Sequence, residues 1–135
     1  MPYQVADAEL TKSIALPAAG AVAYTPGLDM GAQSGKQDEV AEMEFEISLP
    51  ATTTLVNTKA ITFAVQTDND VAFGSPTAAI PAVLVVTGTA GNVSAAASAR
   101  FKLPTNRERY VRASATVPAD AGANTAYAFT LKALL

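Results

Sequence analysis

The chain contains no cysteine, no histidine and no tryptophan. Without cysteine there is no disulfide framework, no thiolate metal site and no cysteine nucleophile. Without histidine it lacks the usual general base near neutral pH and the commonest transition-metal ligand. Bulk is scarce as well: five Phe and four Tyr accompany an apolar half made largely of Ala and Val, so the expected core is thin, as between two sheets. No segment approaches the roughly 20 apolar residues of a membrane helix. Met1 to Asp7 has neither the basic region nor the apolar run of a secretory leader, and synthesis in the cytosol is expected.

What the chain does have is alternation. Ala41, Met43, Phe45, Ile47 and Leu49 interleave with Glu42, Glu44, Glu46 and Ser48. That period of two belongs to a strand, whose successive side chains point to opposite faces of a sheet. Lys59 to Thr67, Ser98 to Leu103, Arg109 to Val117 and Thr125 to Leu134 also read as strands, short strands are expected at Thr11 to Leu16 and Ala21 to Thr25 in the least regular part of the chain, and Ala82 to Thr87 is a continuous apolar run expected to be covered on both faces. Pro50, Asp68-Asn69-Asp70, Gly74-Ser75-Pro76, Gly88 to Asn92 and Pro104-Thr105-Asn106 supply the turns. Ser94 to Arg100 is rich in Ala, but Phe101 and Leu103 continue the strand spacing and Pro104 stops any helix.

Size scaling gives about 20,000 Å² of surface for the unfolded chain and about 6,600 Å² for the folded one, which fits one domain with one core. The expected organisation is an irregular N-terminal arm and loop with short strands over residues 1–39, followed by a core of β-strands over 40–135. Pro26 to Glu39 reads as a long exposed loop.

Eight antiparallel strands without crossover helices form a sandwich, a barrel or a jelly roll. In the jelly roll a long hairpin folds over itself, pairing strand one with eight, two with seven, three with six and four with five. Charge favours that nesting. The third strand carries Glu42, Glu44 and Glu46 on one face, and its neighbours would be the sixth, with Arg100 and Lys102, and the eighth, with Lys132. The chain's net charge is −3, yet residues 1–74 hold three cations and ten anions (3 − 10 = −7) against six and two in 75–135 (6 − 2 = +4). The two halves should attract, and the acidic balance argues against nucleic acid as a partner.

Several short patterns admit a sharper and a plainer reading. Asp68-Asn69-Asp70 could ligate Ca²⁺, but the rest of a Ca²⁺ loop is missing and a polar turn is the expectation. Same-face glutamates about 7 Å apart could imitate a glycosidase pair, though an exposed ladder has no pocket to raise one pKa. Arg107, Arg109 and Arg112 could grip phosphate or a partner carboxylate, or serve as an ordinary salt-bridged strand edge. Gly88-Thr89-Ala90-Gly91 lacks the Lys of a phosphate loop, and Tyr110 and Tyr127 are expected to pack rather than stack on sugar.

The C-terminal stretch Arg109-Tyr110-Val111-Arg112-Ala113-Ser114-Ala115-Thr116-Val117, then Gly122 and Tyr127-Ala128-Phe129-Thr130-Leu131, resembles the closing strands of capsid cement (decoration) proteins of tailed bacteriophages. The likeness in composition and strand order extends over about residues 40–135. It implies a jelly roll without catalytic residues or cofactor, bound to the outer surface of an assembled phage capsid as a homo-oligomer (dimer or trimer) that bridges neighbouring major capsid subunits. Candidate contacts are Tyr3, Leu10, Leu28 and Met30, apolar anchors in segments unable to form a core alone, together with Arg107, Arg109 and Arg112. A carbohydrate-binding β-sandwich of fibre or lectin type is the alternative, and an enzyme ranks third because no recognisable catalytic motif is present.

Overall fold

A computed structural model describes residues 11–30, 44–103 and 108–134. Nine strands account for its regular structure: β1 (Thr11–Ala15), β2 (Val22–Tyr24), β3 (Leu28–Asp29), β4 (Glu44–Leu49), β5 (Ala60–Asp68), β6 (Thr77–Thr87), β7 (Ala97–Lys102), β8 (Tyr110–Thr116) and β9 (Ala128–Leu134). Among the described residues there is no helix, hence none able to cross a membrane. The strands form an antiparallel β-sandwich of two sheets, ordered β1-β9-β4-β7 and β2-β8-β5-β6, with β3 added on β8. Setting the two-residue β3 aside, the pairs are first with eighth, second with seventh, third with sixth and fourth with fifth.

Charge and hydrophobicity agree on this register. Glu46 stands opposite Lys132 on β9 and Arg100 on β7, and Glu44 stands opposite Lys102. The same register turns Phe45 and Ile47 inward beside Phe101 and Leu131. A slip of one residue would bury the glutamates and expose the phenylalanines. Phe45 stacks on Phe101 within its sheet, with centroids 5.6 Å apart, and Phe63 meets Phe129 across the sandwich at 5.3 Å. On β8 the inward positions are Val111, Ala113 and Ala115, all fully buried; small side chains at the middle of the sheet leave room for those phenylalanines.

Residues 11–29 supply β1 and β2 at sheet edges, and β3 on β8. Two expectations are corrected. Within the expected exposed loop, Leu28 is 0 % exposed: β3 pairs it with Val111 and turns its side chain into the core. The apolar run Ala82 to Thr87, expected to be covered on both faces, lies in an edge strand that begins at Thr77 and in which only Val86 is buried. A register shift opposite Ala64 accommodates Pro81, whose missing N–H is tolerated on an edge.

Candidate functional site

The two outer faces of the sandwich differ in chemistry. On the β1-β9-β4-β7 sheet, one cross-strand row reads Thr11, Lys132, Glu46, Arg100, and the next reads Ser13, Thr130, Ser48, Ser98. Lys132 Nζ lies 3.2 Å from Glu46 Oε1 and Arg100 Nε 3.3 Å from Glu46 Oε2. Partial burial pushes the Glu46 pKa up, but hydrogen bonds from Lys132 and Arg100 outweigh it and leave the carboxyl below its ordinary range. A general acid requires the opposite displacement. Glu46 borders a shallow, open depression with Ser48, Pro50 and Ala97, and two cations already hold its carboxylate there.

The β2-β8-β5-β6 sheet presents a different surface. Its rows read Val22, Thr116, Thr62, Val85; then Tyr24, Ser114, Ala64; then Arg112, Gln66, Ala78; then Tyr110, Asp68. Val22 is 44 % exposed, Tyr24 39 % and Val85 52 %. The last row continues to Asp29 on β3, which Arg109 holds in an ion pair, and the other two formal charges, Arg112 and Asp68, are engaged as well. Arg112 Nε donates to Gln66 Oε1 at 3.0 Å, and its guanidinium lies 3.9 Å from the Tyr24 ring centroid and 4.2 Å from that of Phe73. Burial moves the Arg112 pKa down, opposed by Tyr24 and Asp68. Asp68 accepts the backbone N–H of Asp70 at 3.0 Å and of Ser75 at 2.9 Å, and these bonds, the Asp70 one foremost, draw its pKa down. Asp68-Asn69-Asp70 is thus a turn in which both carboxylates accept from its own backbone while Asn69 Oδ1 accepts the Arg109 N–H at 3.1 Å, and the turn carries Phe73 over Arg112.

The expected contact residues divide. Tyr3, Leu10 and Arg107 lie outside the described residues. Leu28 is core, and Met30 is half-buried against it with its N–H bonded to the Arg109 carbonyl at 3.0 Å; neither is an exposed anchor. Arg109 grips Asp29 with two parallel bonds of 2.8 and 2.9 Å, tying β3 to β8, and the Asp29 hydrogen bond raises its pKa. Arg112 stands in the middle of the face that exposes Val22, Tyr24 and Val85, its guanidinium stacked on Tyr24. Tyr127 packs as expected, its hydroxyl accepting the Thr53 N–H at 3.0 Å.

Sequence reasoning missed Val22, Tyr24, Phe73 and Val85. For Phe73 and Val85 the signal available was negative: residues 71–99 contain no Asp, Glu, Lys or Arg. A stretch without charge that supplies both a loop and an edge strand leaves an apolar surface unless something else covers it. No protein-family model matches the chain, and no curated protein matches it.

Proposed function

We propose that the protein is a non-enzymatic structural component of a virion, a jelly-roll cement that binds the outside of an assembled phage capsid and stabilises it by bridging neighbouring major capsid subunits. The nested strand order supports the jelly-roll reading. The observation that carries the role is the contrast between the two outer faces: ion pairs cross the middle of one, while the other offers Val22, Tyr24 and Val85 beside an arginine stacked on aromatic rings, with the Arg109–Asp29 pair at its β3 end. Such a face suits an apolar partner surface, with Tyr24 as a rigid anchor held from behind by Arg112. A ligand of the assembled shell that ignores free subunits stabilises assembly by mass action, and many symmetric copies act together.

The test is co-sedimentation of the purified chain with a panel of expanded tailed-phage heads, with thermal resistance of the heads as second readout. Binding is expected, weakened about fivefold to thirtyfold by Tyr24→Asp or Val22→Asp, the loss of about 1–2 kcal/mol at an interface anchor. Lys102→Ser, on the charged face, should leave it unchanged. Absence of head binding together with tight binding on a glycan array would overturn the proposal in favour of the carbohydrate module.

A further inference from the structure

A sandwich of this kind has open sheet edges, and β6 differs from the others. Gly88 N donates to the Lys59 carbonyl at 2.9 Å, and the register pairs Ala60 with Thr87, Ile61 with Val86 and Phe63 with Leu84. Antiparallel ladders alternate between pairs that exchange both backbone bonds and pairs that exchange none. The Gly88 bond makes Ala60 and Thr87 a non-bonded pair, so Val86 and Leu84 bond to β5. The N–H and C=O groups of Val85 and Thr87 therefore point away from it, and no other described strand pairs with that side. Natural edges are usually blunted by lysine, an inward charge or proline. Here Pro81 and the adjacent register shift interrupt the edge, but from Ala82 to Thr87 nothing does, and Val85 is half exposed.

We propose that the chain forms a two-fold homodimer by antiparallel pairing of its 82–87 edge with the same edge of a second copy, centred on Val85. In this register the two Val85 residues exchange both backbone bonds, and Thr87 faces Val83 of the other copy. Self-pairing about a two-fold axis sets a strand against its own charges, which selects among the edges. β1 would bring Lys12 near its mate, β7 would bring Arg100 and Lys102 near theirs, and β2 is three residues long. The β6 edge brings none, because residues 71–99 are uncharged. Pairing consumes both β6 edges, so the assembly closes as a dimer and does not propagate. It also joins the two outer faces that expose Val22, Tyr24 and Val85 into one continuous surface across the axis. The dimer is a property of the free chain and does not depend on the capsid reading.

Sedimentation equilibrium of the full chain up to millimolar concentration tests it, with a species of twice the 13.8 kDa chain mass expected. Val85→Lys, which sets two ammonium groups across the axis on an exposed position, should weaken the dimer by at least about tenfold while far-UV circular dichroism is unchanged. In a chain without cysteine, Val85→Cys should yield a covalent dimer under mild oxidation, since bonded antiparallel partners lie about 5.5 Å apart at Cα. Val71→Cys, exposed but off the edge, should not. A single-chain mass throughout, or a dimer unmoved by Val85→Lys and not cross-linked by Val85→Cys, overturns the proposal, whatever the chain does with phage heads.

Discussion

Reversing the charge at Glu46 tests the nested strand order by energetics. Its carboxylate touches Lys132 on β9 and Arg100 on β7, at 3.2 and 3.3 Å, and its side chain is only 14 % exposed. Cross-strand ion pairs on a sheet are worth about 0.2–1 kcal/mol each, toward the lower end where, as with Arg100, one partner is largely solvated. Glu46→Lys removes two such attractions and places three cations in one row, so a loss of about 1–2 kcal/mol is expected, or roughly 3–8 °C in Tm for a domain of this size. Lys132→Glu alone should also destabilise. The swapped pair Glu46→Lys with Lys132→Glu restores one of the two contacts, and urea denaturation at fixed protein concentration should give a coupling of about 0.5–1 kcal/mol at low salt, shrinking as salt rises. Additivity within about 0.3 kcal/mol at low salt would refute the argument that β4 lies between β9 and β7. A simple meander offers no substitute, since it would set β4 beside β5, where Lys59 is the nearest cation in sequence.

Three further outcomes follow from named contacts. Leu28→Ala should cost about 2–5 kcal/mol by urea denaturation, as for a fully buried leucine; a loss below about 1 kcal/mol would mean that β3 is not part of the core. Gly122→Ala should destabilise by at least about 1–3 kcal/mol from the backbone alone, because Gly122 has φ 91° and a Cβ there would collide with the Thr54 carbonyl oxygen; an unchanged Tm would contradict that geometry. Glu46 and Asp68 both have pKa values below their unfolded ones, so their contribution is present above the ordinary carboxylate range and is lost as pH falls through and below about 4. Tm should therefore drop through that window, and Asp68→Asn should lower Tm at neutral pH while flattening the drop; an Asp68→Asn profile parallel to the parent would refute the linkage.

Part of this architecture was legible before any coordinates. The alternation from Met43 to Leu49, the matching pattern from Phe101 to Leu103 and from Phe129 to Leu131, and the opposite charges on their other faces specify strands, faces and neighbours together, because period-two side chains tie one residue's burial to its neighbour's exposure. β3 was not legible: two residues have no period, and Leu28 is drawn inward by Val111 across the ladder and by the Arg109 grip on Asp29. The position of β6 was misjudged because an apolar run is compatible with a central strand, and only the pairing partners reveal an edge.

By itself the sequence determined that this is a β protein with a thin core, what each strand turns inward, and which strands can lie side by side without repulsion, since these depend on local periodicity and on the sign of charge. Tertiary structure alone decided which arginines are consumed internally, that the Arg112 guanidinium stacks on both Tyr24 and Phe73, and that the charge-free stretch 71–99 contains an open edge. Those features arise from residues far apart in the chain meeting in space, and no window of sequence contains both partners.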